Sequence, residues 1–196
     1  MGAMPAPSDP PASEQDLRAH TVGELATRIA IVDYDQRWPG LFQREADRIR
    51  CALGNRASRI EHTGSTSVPG LAAKPVIDIL LVVSDAGAEA EYVPALERAG
   101  YHLHIREPEW HEHRMLKGPD TNINLHVFSF GCPEIERTLI FRDWLRKNES
   151  DRELYARTKR ELAQKDWKYT QDYTDAKTAV IEMIMARAFM SKHSEP

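Results

Sequence analysis

The stretch from Val76 to Val83 constrains the fold of this chain more than any other, because seven of its eight residues are apolar and the eighth is Asp78. An apolar run of this length, rich in β-branched residues, predicts a buried strand. A carboxylate in a buried strand is costly unless it is hydrogen-bonded, paired with a cation or bound to a metal. Asp78 is therefore predicted to be either a satisfied structural carboxylate or a metal ligand at the rim of a sheet.

A turn rich in glycine and hydroxyl residues precedes this strand, with the sequence His62-Thr-Gly-Ser-Thr-Ser-Val-Pro-Gly70. Glycine lets the backbone approach a ligand closely, and the N–H groups at a helix start can hold phosphate oxygens. The same residues are typical of an N-capped turn, so the turn alone leaves both interpretations open. Gly64-Ser65 followed by a strand that carries Asp78 is, however, the layout of nucleotidyltransferases, in which the turn holds nucleotide phosphates and carboxylates hold magnesium.

The rest of the sequence predicts a mixture of strands and helices. Strands are expected at 29–32, 58–62, 101–105, 114–117 and 122–130, and helices at 41–53, at 88–99 and in two or three segments after Pro133. The strands between 101 and 130 are too closely spaced for helical crossovers, so the sheet should be mixed. The predicted fold class is α/β (α+β), a mixed β-sheet flanked by helices with a helical C-terminal segment.

Length and composition limit the partners and the location of the chain. Its 196 residues fit one domain, here 19–196, preceded by a flexible tail at 1–18 that is rich in Pro, Ala, Ser and acidic residues. The net charge of −4 predicts no nucleic-acid partner and no binding to anionic membranes. No apolar run approaches the roughly 20 residues of a membrane span. Two separated cysteines exclude a paired-cysteine zinc site and favour a soluble, cytoplasmic protein.

Several motifs in order give the chain a resemblance to a known family. They are the turn and strand from His62 to Leu80, Asp33-Tyr-Asp-Gln-Arg-Trp-Pro39, Asn124-Leu-His-Val127, Phe141-Arg-Asp-Trp-Leu-Arg146 and Tyr173-Thr-Asp-Ala-Lys177. Over roughly residues 30 to 190 the chain resembles the GrpB family. The resemblance implies a nucleotidyltransferase-like fold. In some members this domain is joined to dephospho-coenzyme A kinase, but no GxxxxGK[ST] loop is present here, so the resemblance implies a stand-alone domain.

The expected set of metal-binding carboxylates is incomplete in this sequence. Active nucleotidyltransferases usually carry a second acid two residues after the first, and that position is Leu80. A third acid usually comes from a later strand, where this chain has Asn122, Asn124 or His126. One carboxylate with Asn and His partners is a poor magnesium cage unless a triphosphate supplies further oxygens. Active transfer and non-catalytic ligand binding therefore both stay open.

Further polar residues complete the predicted site. Asn122, Asn124 and His126 alternate along one strand face and are expected to form a wall of the cleft, while a guanidinium or ammonium group can neutralise phosphate. The predicted residues are Asp78 and His126 for catalysis and metal binding; Gly64, Ser65, Thr66 and Ser67 for phosphate binding; and Lys74, Arg114, Asn124 and Lys177 for substrate binding. Lys177 is expected near the start of a last helix that begins at Asp175, with Thr174 as its N-cap.

The function predicted from these residues is metal-dependent nucleotidyl transfer from an NTP to a small-molecule acceptor, with Mg²⁺ or Mn²⁺ as the cofactor. The alternative is a non-catalytic domain that binds a nucleotide or a phosphometabolite in a degenerate transferase site. A weaker alternative is a hydrolase or ligase of small polar metabolites that uses the histidines near His111 and His113, whose spacing is compatible with a metal site or with a solvated loop.

Overall fold

The computed structural model describes residues 29–192, and the apolar run around Asp78 forms a central strand of its sheet. The strands are β1 (Arg59–Thr63), β2 (Ile77–Val83), β3 (His102–Glu107), β4 (His113–Lys117) and β5 (Ile123–Ser129). They lie in the order β1-β2-β5-β4-β3; β2 and β5 are parallel, and the other neighbouring pairs are antiparallel. The mixed sheet predicted from strand spacing is confirmed. The predicted flexible tail, 1–18, lies outside the described residues.

Six α-helices are present in the part of the chain that the structure describes. They are α1 (Trp38–Leu53), α2 (Val93–Arg98), α3 (Pro133–Lys147), α4 (Glu149–Ala163), α5 (Thr170–Asp175) and α6 (Thr178–Lys192), and short 3₁₀ turns lie at Gly54–Arg56, Ser65–Ser67 and Glu89–Glu91. The predicted helical C-terminal segment is confirmed. None of the helices within 29–192 is long and apolar enough to cross a membrane.

The two faces of the sheet differ in character. On one face, Ile79 of β2 and Leu125 of β5 belong to the main core, which also contains Ile49 of α1 and Leu96 of α2. This packing follows from alternation, because every second residue of a strand points to the same face. On the other face, one end is apolar and the other end carries polar groups around Asp78, which is paired in register with Asn124.

The apolar part of that second face is covered by a helix. Leu80 and Val82 of β2 and Phe128 of β5 pack with Ile135 and Leu139 of α3 in a separate cluster. Burial of these side chains holds α3 in a fixed position on the sheet, since buried apolar area stabilises the folded protein roughly in proportion to its size. In this position, α3 leaves the polar end of the face uncovered.

The C-terminal helices pack against the segment that follows the Gly64 turn. Val68 and Leu71 are buried with Leu145 of α3, Tyr155 of α4 and Ile184 of α6. Helices α3 and α6 also contact each other directly. This second core brings the far end of the sequence next to the turn at Gly64, more than eighty residues earlier in the chain.

Three sequence predictions differ from the structure. The strand expected at 29–32 is a single antiparallel bridge between Val32 and Ala73. The helix expected at 88–99 is divided into a 3₁₀ turn and the short α2, which has a proline in its first turn. The last helix begins at Thr178 rather than Asp175. Asp175 instead ends α5, whose start is stabilised by the Asp172 carboxylate accepting from the Tyr169 N–H at 3.3 Å.

Candidate functional site

Gly64 is the residue that brings the turn against the Asp78 strand. Its φ of 64° and ψ of −174° lie in a region that is essentially restricted to glycine. A Cβ at this position would stand 2.2 Å from Oδ2 of Asp78 and 3.0 Å from the Asp78 Cγ. The backbone of the turn therefore lies very close to the Asp78 carboxylate, and any side chain at position 64 would displace Asp78.

The hydroxyl groups that follow Gly64 do not all face the cleft. Thr66 is 1% exposed, and its Oγ1 donates to the Val76 carbonyl at 3.0 Å. Ser67 is also buried, and its Oγ donates to the Gly64 carbonyl at 2.6 Å. The prediction that Thr66 and Ser67 side chains line a phosphate site is thus corrected, because both hydroxyls are used to hold the turn together. Ser65 is the hydroxyl residue of this turn that lines the cleft.

Asp78 is held in place by polar neighbours on the adjacent strand. Asn124 donates from Nδ2 to Oδ1 of Asp78 at 2.9 Å, and Lys117 in turn donates to the Asn124 Oδ1 at 2.6 Å. The His126 Nε2 lies 3.8 Å from the same Asp78 oxygen. Burial opposes ionisation of Asp78, but the nearby His126 imidazole, the Asn124 amide and the charge of Lys177 together hold its pKa below the ordinary value.

The site offers one carboxylate for a metal. Leu80, at the position of the second acid, is 1% exposed and packs in the apolar cluster under α3. Within residues 29–192 there is no group of three or more His, Cys, Asp or Glu side chains that could hold a metal ion. Magnesium usually takes one or two protein carboxylates and completes its octahedron with water and substrate phosphates. The residues present around Asp78 therefore do not form a resident magnesium cage.

A buried lysine that the sequence analysis did not select joins the turn to the C-terminal helices. Lys159 of α4 is 3% exposed, and its Nζ donates to Ser65 Oγ at 2.8 Å and to the Ala72 carbonyl at 2.6 Å. The ammonium also lies 4.5 Å from the centroid of the Tyr155 ring. Lys159 lies in the apolar stripe of α4, with Tyr155 one turn before it and Leu162 one turn after it. This spacing is the sequence signal that could have identified Lys159 as a buried lysine.

Two further lysines lie beside Lys159 in the same cleft. Lys177, just before α6, lies 4.6 Å from the Tyr173 ring, and Lys74 lines the cleft near the start of β2. Burial, reinforced chiefly by the charge of Lys177, lowers the pKa of Lys159 to about 7. Burial also lowers the pKa of Lys177; repulsion from Lys74 adds to this effect, whereas Asp78 opposes it. The cleft thus contains ammonium groups that are poorly neutralised by protein carboxylates.

The cleft has two lobes that meet at Ser65, Asp78 and Lys177. The cationic lobe has a volume of about 260 Å³ and is also lined by Lys74 and Lys159. The second lobe, of about 220 Å³, has an apolar and aromatic wall formed by Val68, Phe141, Leu145, Tyr155, Ile181 and Met185, with Arg137, Thr138 and Arg142 at its polar side. Asp78 is therefore placed where a bound molecule would pass from one lobe to the other.

Arg114 was predicted to contact substrate, and the structure places it elsewhere. It lies on the opposite face of the sheet from Asp78, where its Nε contacts Glu89 at 2.5 Å. Register explains the difference, because Arg114 is paired with the core residue Val127 whereas the neighbouring position of β4 faces His126. Arg114 is buried and neutralised there, so it is not available to a ligand in the cleft.

The two histidines whose spacing was compatible with a metal site or with a solvated loop have different surroundings. His111 is exposed, whereas His113 is 4% exposed and contacts His126, with 3.0 Å between His113 Nε2 and His126 Nδ1. The other ring nitrogen of His113 contacts Glu107. The structure thus joins His113 to the Asp78 region through His126 and does not bring His111 into it.

Comparisons with known proteins place this chain in a family. The model of the GrpB protein family matches residues 28–187. The UPF0157 protein BH1888 of Halalkalibacterium halodurans is 60% identical over 181 residues, which cover 91% of this chain and 93% of that protein. The crystal structure of conserved protein GrpB from Enterococcus faecalis matches with a TM-score of 0.74 and 31% identity, covering 84% of this chain and 100% of that one.

A more distant match is a crystal structure of the Cid1 poly(U) polymerase, with a TM-score of 0.45 and 11% identity over 66% of this chain and 45% of that one. A similarity of this size carries no argument about activity. The family model and the close relative together span most of the chain. The chain therefore belongs to the GrpB family.

Proposed function

We propose that the two-lobed cleft binds a phosphorylated small molecule, with its phosphate groups among Lys74, Lys159, Lys177 and Ser65. The observation that carries this proposal is the convergence of three lysines on a lobe lined by a single carboxylate, Asp78. Ammonium groups suit phosphate because they carry full positive charge and several hydrogen-bond donors.

The electrostatics of the lysines support an anionic ligand. Buried ammonium groups are destabilised by lost hydration and by one another, as the lowered pKa values of Lys159 and Lys177 indicate. A phosphate dianion would supply the missing negative charge and would raise both pKa values. The energy of this neutralisation is available for binding, because the free protein already bears the cost of bringing the lysines together.

The second lobe suits an apolar or planar part of the same molecule. Phe141 and Tyr155 stand edge to face at 5.3 Å, and Ile181 and Met185 of α6 complete an apolar wall. Ligand sites are commonly apolar pockets with a few convergent polar groups. The geometry therefore favours a nucleotide or a comparable phosphorylated compound over free phosphate.

A second candidate function is nucleotidyl transfer to a small acceptor, and the position of Asp78 favours it. An ionised carboxylate lies at the junction of the lobes, where a phosphate and an acceptor would meet. Phosphoryl-type transfer depends mainly on positioning and charge stabilisation, which lysines can supply. A role for Mg²⁺ or Mn²⁺ at Asp78 and His126 stays a prediction, since these two residues alone do not form a cage for the ion.

Ligand-induced thermal stabilisation tests the binding proposal. Wild-type protein would be melted with inorganic phosphate, pyrophosphate, ATP, GTP, CTP or UTP, each with and without Mg²⁺ or Mn²⁺. A ligand at about 100 times its dissociation constant adds roughly 2.7 kcal/mol to the free energy of unfolding. We expect a shift with at least one phosphorylated ligand and a larger shift with nucleotides than with phosphate. No shift with any of these ligands would contradict the proposal.

Variants separate the two candidate functions. Lys159→Met should lose most of the ligand-induced shift while remaining folded, because Met keeps the apolar stem and removes a buried charge. Lys165→Met, at an exposed lysine just beyond α4, is the matched control and should keep the full shift. A metal-dependent shift that disappears in Asp78→Asn would favour transfer chemistry, whereas a metal-independent shift that survives would favour binding alone.

A further inference from the structure

The last helix, α6, has an apolar face that points away from the rest of the domain. Its inner side, which includes Val180 and Ile184, is buried against α3 and α4. On its outer side, Met183 is 42% exposed and Met190 is 71% exposed. In the described part of the chain, three of the six exposed large hydrophobic side chains lie on this one helix. A surface helix ordinarily carries charged and polar residues on its outer side, so this face has the character of a contact surface.

The exposed residues of this face repeat with the spacing of a two-stranded coiled coil. They are Ala179, Met183, Ala186 and Met190, which follow one another at steps of four, three and four residues. These steps are those of the d and a positions of a heptad, which pack between the side chains of a facing helix. Since α6 has 15 residues, the seam is about 22 Å long. The face therefore fits one further helix that lies along it.

The charges beside this seam indicate which helix fits it. In the same heptad, Glu182 occupies a g position and Arg187 an e position, so they lie on opposite flanks of the seam. In a parallel pair of identical helices, the g residue of each helix lies beside the e residue of the other, so two Glu–Arg pairs would form. Arg187 also contacts the buried Asp151 of its own chain, but it is half-exposed, and a guanidinium has donors for two carboxylates. The face is therefore complementary in charge to a parallel copy of itself.

We propose that the outer face of α6 binds the same face of a second copy of this chain, so that the two helices form a short parallel coiled coil. Such a contact is self-complementary and closes at two subunits. The other side of α6 supplies Ile181 and Met185 to the cleft, so the contact leaves both clefts accessible and does not depend on their ligand. A seam of this length lies at the low end of specific interfaces, so the dimer should be reversible and dependent on concentration.

Sedimentation velocity from low micromolar to submillimolar protein tests whether the dimer forms. We expect the wild-type protein to pass from monomer to dimer as its concentration rises. Met183→Glu should raise the dissociation constant at least about tenfold, because two carboxylates would face each other in a desolvated seam. Met183 is half-exposed in the single chain, so the variant should stay folded, which a melting curve checks. A protein that stays monomeric at every concentration, or a dimer that Met183→Glu leaves intact, would overturn the proposal.

Disulfide cross-linking tests the direction of the two helices. In a parallel pair each a residue faces its own copy, so Met183→Cys protein should cross-link to itself under mild oxidation, with the bond located by peptide mass analysis. Wild-type protein, whose Cys51 is an exposed thiol on α1, is the control and should give little cross-linked dimer. In an antiparallel pair position 183 would face position 186. Cross-linking that requires a mixture of Met183→Cys and Ala186→Cys proteins would therefore contradict the parallel arrangement.

A charge reversal at the exposed Glu182 tests the flanking pairs. Glu182→Arg replaces two equivalent attractions across the seam by two repulsions, so it should weaken the dimer about fivefold. Glu97→Arg makes the same change of charge at an exposed glutamate of α2, which packs with the main core on the other face of the sheet, and should leave the dissociation constant unchanged. Equal dissociation constants for Glu182→Arg and wild-type protein would refute the pairing with Arg187 and, with it, the parallel dimer.

Discussion

Replacing Gly64 by alanine is the most direct test of the contact between the turn and Asp78. The new Cβ would stand 2.2 Å from Oδ2 of Asp78, and the φ of 64° disfavours any side chain. To relieve the contact, the carboxylate would have to rotate, and it would then lose the hydrogen bond that Asn124 donates to it at 2.9 Å. The substitution should therefore affect stability and the cleft together.

The expected magnitude follows from two separate costs. Backbone strain at such a dihedral angle costs about 1–3 kcal/mol. Displacement of a packed neighbour typically adds about 1–3 kcal/mol. We expect Gly64→Ala to lower the free energy of unfolding by about 4 kcal/mol, the sum of mid-range values for both costs. Gly54→Ala isolates the first cost, because Gly54 has a φ of 56° and a ψ of −131° with nothing within 4 Å of an added Cβ.

Urea unfolding of the two glycine variants and of Gly64→Ala in an Asp78→Ala background measures these costs. Gly64→Ala should cost about 2 kcal/mol more than Gly54→Ala, corresponding to displacement of the packed neighbour. Most of this excess should disappear when Asp78 is already alanine, because Oδ2 and Cγ are then absent. Equal costs for the two glycine variants, or an excess that persists without the Asp78 carboxylate, would refute the reasoning.

Two further predictions concern buried polar groups. Burial lowers the pKa of His62 to about 4, so the unfolded chain takes up a proton at a higher pH than the folded protein does. The free energy of unfolding should therefore fall by about 3 kcal/mol as the pH is lowered from about 6.5 to about 4. His62→Gln should reduce this pH dependence, as measured by urea unfolding at a series of pH values. An unchanged slope would contradict this assignment. Tyr101→Phe removes a hydroxyl that donates to the buried Glu45 carboxylate at 2.7 Å and should cost about 1.5–3 kcal/mol. The Tyr92 hydroxyl donates to a neutral carbonyl, so Tyr92→Phe should lower the free energy of unfolding by less than Tyr101→Phe does. Equal losses in the two variants would argue against a charged acceptor for Tyr101.

The sequence was a good guide where a local pattern decides the structure. The run around Asp78 predicted β2 because a continuous apolar segment of that length can only be buried, and alternation placed Asn124 and His126 on one face of β5. The glycine and hydroxyl content of the turn predicted a close backbone approach to a ligand, which stays a prediction; the close approach that the structure shows is the one between Gly64 and the Asp78 carboxylate. These features depend on residues that are near one another in sequence.

Local patterns failed where register or distant packing decides the outcome. Arg114 has the chemistry of an anion contact, but its position in β4 turns it toward Glu89 on the other face of the sheet. Thr66 and Ser67 have the right groups for phosphate, yet the turn uses both hydroxyls for its own backbone. The break between α5 and α6 at Lys177 was also missed, because local capping at Asp172 starts a separate short helix.

What the sequence by itself determined is the mixed sheet, the turn before β2, the single carboxylate at the rim and the missing second acid at Leu80. Tertiary structure decided which charges meet there. Lys159 reaches Ser65 across 94 positions of sequence only because α4 packs on the segment after the turn. Hydrophobic periodicity indicates which side of a helix or strand is buried, but it does not indicate which other segment packs against that side. The chemistry of this cleft depends on which segments pack together.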